Sequence, residues 1–419
     1  MEKLAIIGTG IAGMGAAFLL HKNYDLTIFE KNNYTGGHTN TVTVKEGEKD
    51  VFIDTGFMVF NKVTYPNLTR LFDLLNVPVM KTSMSFSVAH VESGLEYSGT
   101  GLNGLFSQRK RIFDPSYIRM LWQINRFNNE CLEVLDNPLY SNYSLAEYVK
   151  VKKFGSDFLF KYLIPMSSAV WSTPPDLMLN FPAKTLIRFF YNHGFLGLNT
   201  QHQWYTVVNG SKTYRDILIE PFKDRIRTGS RVRQVLREGG KIKVVTIDNS
   251  AHYFDKVIFA SHADETLLML SDATPLEKKL LSPFKYQYNK ATLHTDSSVM
   301  PKTKRAWSSW NYRIQNFEGY VKTSIIYYMN SLQKVSENQD YFVSIDDPGN
   351  IDRNKIIKEI DYHHPLFDLD AVKAQDSLFD LNSQGNNTYF CGSYFKYGFH
   401  EDAYTSAVNL SNHLLQGRK

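Results

Sequence analysis

Apolar residues run unbroken through Leu4-Ala5-Ile6-Ile7; the run then breaks on Gly8, Gly10 and Gly13 and resumes as far as Leu20. A short continuous apolar run bounded by a turn predicts a strand buried on both faces, as in a parallel sheet. Met14–His21 predicts a helix opened by the glycine turn, and Asp25-Leu-Thr-Ile-Phe29 a second strand that ends in Glu30. Lys256–Ser261 and Asn387–Gly392 read as further strands of the same kind. From Gly398 through Leu415 the pattern predicts a last helix, with the acids Glu401 and Asp402 in its first turn. Pro115–Asn128 differs: Tyr117, Met120, Leu121, Ile124 and Phe127 recur at helical spacing, and Arg119 and Arg126 face away, so an amphipathic helix is expected there.

Leu4–Leu20 is apolar enough to resemble a signal sequence or a short membrane span. Four glycines within its 17 residues and Glu2 in front favour a strand, turn and helix instead. Strand, glycine turn, helix, strand and acid is the order of a dinucleotide-binding unit, here with the acid 22 residues after the first glycine. Gly8 allows the tight turn, Gly10 lets the backbone approach a pyrophosphate, and Gly13 lets helix and strand pack closely. The helix start offers unpaired N–H groups and a positive dipole end to phosphates. Glu30 accepts from ribose hydroxyls. A second glycine pair, Gly36-Gly37-His38-Thr39, and then Asp54-Thr55-Gly56-Phe57 favour FAD over NAD, because the longer molecule needs amide donors along its pyrophosphate and over its ring.

At 419 residues the chain has room for two or three domains. Its two cysteines, Cys131 and Cys391, exclude a disulfide scaffold and a four-cysteine zinc site, and no histidine spacing matches a metal site. The formal charge of +5 is mild. The basic clusters Arg109-Lys110-Arg111, Lys150 with Lys152-Lys153, and Lys302 with Lys304-Arg305 are dispersed, so they read as solvated surface and not as a nucleic-acid stripe. Aromatics are abundant at 14%, which points to a large apolar cavity or a heavily filled core.

With these motifs the chain resembles the flavin-containing amine oxidoreductase superfamily, in which a glycine fingerprint, an acid and a Gly-Gly-Arg-like step open the sequence. His38 stands where arginine is common. The resemblance implies a Rossmann-type α/β FAD-binding domain, discontinuous over 1–75, 205–270 and 365–419. An interleaved α+β substrate domain, with an antiparallel sheet and a helical cap, would cover 76–204 and 271–364. It further implies that Gly8, Gly10, Ile11, Ala12 and Gly13, with Glu30 and Lys31, hold the nucleotide end. Gly37, His38, Thr39, Thr55, Gly56 and Phe57 would follow the cofactor inward, Val232 would meet the adenine through its backbone, and Gly392, Phe399 and His400 would close on the flavin. Longer stretches, among them Asp54–Asn61, Leu163–Pro175 and Gly398–Asp402, resemble a bacterial subgroup often encoded beside cyclopropane-fatty-acid-synthase-like methyltransferases. That likeness implies an unsaturated or methylated fatty acyl substrate and a lipid methyltransferase as partner.

Related oxidases place a lysine facing the flavin from a floor strand, and Lys290 occupies the comparable stretch. His400 is a second catalytic candidate, acting through its backbone or as an acid or base. His193, His262, His363 and His364 read as structural. Ile164–Trp171 and Arg188–Phe195 are the segments expected to line an apolar pocket. The expectation is therefore an FAD-dependent oxidoreductase that removes hydride from a hydrophobic, desaturase-type substrate. Amine oxidation, lipid isomerisation, or a non-catalytic FAD-containing partner of the methyltransferase are the alternatives. The protein is expected in the cytoplasm, with the basic helix resting peripherally on the inner face of the membrane if the substrate is a membrane lipid.

Overall fold

A computed structural model of the chain describes residues 1–197 and 200–416. The first apolar run forms strand β1 (Lys3–Ile7), buried from Leu4 onward. It pairs in parallel with β2 (Asp25–Phe29) on one side and, on the other, with a strand from much later in the chain, Lys256–Phe259. With β3 (Ile226–Arg227), β4 (Lys256–Phe259) and β5 (Thr388–Phe390), the spatial order is β3-β2-β1-β4-β5, all parallel. The unbroken apolar runs are explained by this arrangement, since both faces of the sheet are covered.

Helix α1 (Ile11–Leu20) has no polar face and is buried nearly all round. It packs against the last helix of the described chain, His400–Gln416. A Cβ on Gly15 would lie 2.7 Å from the ring of Tyr404, so only glycine permits this approach. The beginning and end of the chain are thus in direct contact.

The second large layer is a seven-stranded sheet in the order Ile356–Leu366, Lys285–His294, Phe342–Ile345, Tyr320–Tyr328, Trp310–Phe317, Phe86–His90, Leu95–Ser98. It is mixed rather than purely antiparallel, because Trp310–Phe317 and Phe86–His90 run parallel. Helices between residues 101 and 192 cover one end, among them α2 (Pro115–Glu130) and α3 (Ala183–Asn192). The amphipathic pattern does form a helix in α2, opened by Asp114, whose carboxylate accepts from the backbone N–H of Ser116 and Tyr117. Its apolar stripe is not free, however. Tyr117, Met120 and Phe127 are buried, and Leu121 and Ile124 pack against the core. The face expected to meet a membrane is consumed by the cap's own packing.

Candidate functional site

A cavity of about 590 Å³ runs from the carboxyl ends of β1 and β2 to the helical cap, the position expected for a ligand of an open parallel sheet. Gly8, Gly10, Ile11 and Ala12 line it at the first turn, Glu30 and Lys31 at the end of β2, and Val232 beside them. Gly37, His38, Gly56 and Phe57 line its middle, with Gly392, Phe399 and His400 opposite. Residues from the beginning, middle and end of the chain therefore share one cavity.

The turn has the shape of a cradle. Gly8 sits at φ +101°, and a Cβ there would come within 2.8 Å of the Ala260 carbonyl. A Cβ on Gly13 would lie 2.0 Å from the Gly8 carbonyl, so Gly13 sets helix-to-strand packing and does not itself line the cavity. A Cβ on Gly10 would meet nothing within 4 Å: it would project into empty cavity at the start of α1, where the helix has neither a side-chain cap nor an acid in its first turn. Open space over unpaired amide donors fits a pyrophosphate. Gly37 abuts this turn, its would-be Cβ 3.3 Å from Gly10 Cα. The contact is tied by Thr9, whose carbonyl accepts from Gly36 N at 3.1 Å. Glu30 is buried and already oriented. Its Oε2 accepts from Thr9 N (3.1 Å) and Thr9 Oγ1 (2.5 Å), and its Oε1 accepts from Asn32 N (2.8 Å). Lys31 pairs with Glu265 at 2.6 Å, at the rim.

Two expected contacts act indirectly. Thr39 and Thr55 do not line the cavity. Thr39 Oγ1 bonds Tyr214 and His400 Nε2, and Thr55 Oγ1 bonds the Tyr362 hydroxyl at 2.9 Å and the Asn40 carbonyl at 3.1 Å. His38 does not substitute for arginine's charge. Burial holds its imidazole down at about 4, its buried Nε2 has no hydrogen-bond partner among the described residues, and its ring stacks on Tyr362 with centroids 4.7 Å apart. His400 stacks on Phe57 at 3.8 Å, and its Nε2 is engaged by Thr39 (3.1 Å) and Tyr214 (3.0 Å); burial keeps it neutral. The loop that carries Gly56 and Phe57 is braced by Asp54. This buried carboxylate accepts from Ser211 N and Oγ, Thr41 Oγ1 and Gln333 Nε2.

Lys290 requires a correction. It does not line the cavity; its Nζ lies 3.3 Å from Glu359 on the partly exposed face of the sheet. Strand alternation decides this, because Asn289 and Ala291, its neighbours, are the buried positions. Asn289 in turn builds something the sequence pattern does not announce. Its Nδ2 donates to the Ser172 carbonyl (3.0 Å) and to Asp346 Oδ2 (2.5 Å), so its Oδ1 is the atom left to accept from His364 Nδ1 at 2.7 Å. Two acceptors on one amide nitrogen settle the amide orientation, and with it the imidazole tautomer: Nδ1 carries the hydrogen and Nε2 the lone pair. His364 lines the cavity, and burial together with His38, His262 and His363 holds it well below the usual histidine range. Nothing in the spacing of Asn289 and His364 signals this pairing; only strand register does.

The inner half of the cavity is walled by Met84, Val170, Trp171, Phe189, Phe195, Trp204, Trp310 and Tyr327. Both segments expected to line a pocket contribute. Trp171 packs at 4.7 Å from Phe189 and donates through Nε1 to the Tyr397 carbonyl at 3.0 Å. The charged lining residues Glu30, Lys31, Arg231, Arg233, Glu265 and Asp361 lie at or beside the end of β2, in the 231–233 stretch, on the Ala263–Met269 helix or on the Ile356–Leu366 strand. None comes from the segments that supply the aromatic wall. Among the described residues no group of His, Cys, Asp or Glu is placed to hold a metal.

Known proteins resemble this chain in sequence and in fold. A stretch of the chain is 36% identical over 104 residues to tryptophan 2-monooxygenase of Allorhizobium ampelinum, covering 24% of this chain and 14% of that protein. Another is 30% identical over 120 residues to a 4,4'-diapophytoene desaturase of Staphylococcus haemolyticus, covering 25% and 24%. The chain thus matches under a quarter of the length of these relatives. Over 98% of both chains, the fold superposes with a TM-score of 0.68 on a CLA-producing fatty acid isomerase from P. acnes, at 15% identity. The family model for flavin containing amine oxidoreductases matches residues 11–309. The chain belongs to the flavin-containing amine oxidoreductase family, and its cofactor is FAD.

Proposed function

We propose that this protein is an FAD-dependent oxidoreductase acting on a C–H bond of a hydrophobic substrate, an unsaturated or methylated fatty acyl lipid, in a desaturation. The observation that carries this reading is the continuity of the nucleotide cradle with an aromatic pocket whose walls contribute no charged side chain. An acyl chain loses nothing by entering such a pocket, whereas an ionised amine or carboxylate would forfeit hydration without a partner. In this reading residues 1–75, 205–270 and 365–419 serve the cofactor, and 76–204 and 271–364 serve the substrate. Gly8, Gly10, Ile11 and Ala12 would hold the pyrophosphate, Glu30 would take the ribose, and Gly392, Phe399 and His400 would contact the flavin. FAD, when bound, supplies the hydride acceptor.

The protein's own residues have three tasks. The aromatic wall excludes water and aligns the substrate carbon. The stack of Phe57 on His400, with His400 Nε2 held by Thr39 and Tyr214, fixes the orientation of both rings at the cavity. Desaturation releases a proton as well as a hydride, and His364 Nε2, unprotonated in the tautomer set by Asn289, is the acceptor. A lipid methyltransferase is the matching partner class, since unsaturated acyl chains are its substrates.

Anaerobic mixing of the purified yellow protein with acyl lipids or with amines tests the reading. Bleaching of the flavin by a lipid, with a product two hydrogens lighter, is the expected result. Bleaching by amines alone would replace it with amine oxidation, the chemistry in the family's name. The fold shared with a fatty acid isomerase supports a second reading, in which hydride leaves and returns; a product of unchanged mass distinguishes it.

A further inference from the structure

Two basic clusters that are far apart in the chain meet on one surface. The short helix Gly101–Leu105 and the strand Leu95–Ser98 both contact the 3-10 turn Lys304–Ala306. Glu96 ties them together, accepting from Lys302 N and Thr303 N at 2.8 Å each. Arg109 is fastened to the same helix, donating to the Phe106 carbonyl at 2.9 Å and to Asn103 Oδ1 at 3.1 Å. Arg109, Lys110, Arg119, Lys302, Lys304 and Arg305 are all exposed, and none has a carboxylate partner among the described residues. On the adjoining Gly101–Leu105, Arg109–Phe113 and α2 segments large apolar side chains stand in water: Phe113 is 87% exposed, Leu102 71% and Trp122 61%, with Ile112 and Ile118 also exposed. Phe113 immediately precedes the cap of α2, while Ile118 and Trp122 fall on its outer stripe, opposite the buried Tyr117, Met120 and Phe127.

We propose that this surface docks the protein on an anionic lipid bilayer, with Phe113, Trp122 and Leu102 entering the headgroup layer and the surrounding cations facing lipid phosphates. Charge complementarity names the occupant. A second copy of the chain would set these cations against themselves across a two-fold axis, which repels. Tryptophan and phenylalanine exposed beside lysine and arginine are the residues that settle at a membrane interface. The surface also lies close to the substrate half: from the Lys304–Ala306 turn the chain needs four residues to reach Trp310 in the cavity wall. The docking surface deepens the acyl-lipid reading by giving the cavity a membrane source of substrate, yet it does not depend on any flavin chemistry.

Vesicle flotation with the FAD-loaded protein tests it, using phosphatidylcholine alone and phosphatidylcholine mixed with phosphatidylglycerol. Binding to the anionic vesicles only, weakened by salt, is expected. Lys110→Glu with Arg119→Glu should weaken it by about tenfold or more, whereas Lys223→Glu, exposed beside α1 and β2, should not change it. Phe113→Ser with Trp122→Ser should remove the part that survives high salt. Among the described residues Trp122 is the only largely exposed tryptophan, so brominated lipid should quench the unmodified protein, a measurement that needs no variant. Absence of binding to anionic vesicles, indifference to the charge reversals, or a dimer that the Phe113 and Trp122 changes dissolve would each overturn the proposal. If vesicles bind but no lipid bleaches the flavin, the oxidation reading fails and the docking surface stands. If a lipid bleaches the flavin but no vesicle binds, the docking surface fails and the oxidation reading stands.

Discussion

Gly10 and Gly13 are three residues apart and do opposite things. At Gly10 a side chain meets open cavity, so Gly10→Val should melt like the unmodified apoprotein but lose FAD, read by flavin absorbance after desalting. At Gly13 a Cβ collides with the Gly8 carbonyl; Gly13→Val should cost about 1–3 kcal/mol or more by overpacking, read as a lower melting temperature with and without FAD. His364→Gln keeps a polar side chain but offers no comparable base. Single-turnover flavin reduction by a lipid substrate should slow by about a hundredfold to ten-thousandfold, with the flavin spectrum unchanged. Asn289→Leu should act in the same direction by releasing the tautomer, and histidine nitrogen resonances report that release directly. Titration has two opposed branches. Burial holds His38, His193, His262 and His294 down at about 4. Below about pH 6.5 the unfolded chain therefore binds more protons, and stability should fall as pH drops from there toward 4. Asp402 is pushed up to about 7 by burial, so its contribution is lost as pH rises from the ordinary aspartate range through 7. Asp402→Asn, whose amide oxygen still accepts from Tyr397 N and Phe399 N, removes the opposing contribution, so between about pH 7 and 4 the melting temperature should fall more steeply on acidification than in the unmodified protein.

Among the elements, two carry a legible periodicity whose inward side is not legible. The Lys285–His294 strand alternates as its sequence requires, but alternation does not say which face looks inward; register with Ile356–Leu366 and Phe342–Ile345 turned Asn289 in and Lys290 out. In α2 the stripe of Tyr117, Met120 and Phe127 is plainly apolar in the sequence. Its partner is not written there, because a helix stripe looks the same whether it faces a core or a membrane. The outer face yields a sharp contrast: Met120→Ala should cost about 2–5 kcal/mol, while Trp122→Ala should stay within about 0.5 kcal/mol, both read by denaturant unfolding. The parallel strands are the easiest to read, since a strand buried on both faces has a single, unbroken apolar signature.

Across the molecule as a whole, FAD is expected to protect residues near 8–13, 36–39, 230–233 and 398–403 from hydrogen exchange together. At a hundredfold excess over its dissociation constant it should stabilise the fold by about 2.7 kcal/mol. Protection confined to the first turn would contradict a cofactor held by both ends of the chain. The dinucleotide unit, the preference for FAD and the aromatic character of the substrate half are all legible before any folding, because glycine backbone freedom, strand burial and composition are local properties. Folding alone decided that Lys290 is spent on the surface, that His364 receives its tautomer from Asn289, and that the cations around Arg109 share a surface with those around Lys304. Those are contacts between residues far apart in the chain, and a contact of that kind exists only once strand register and helix packing have brought its partners together.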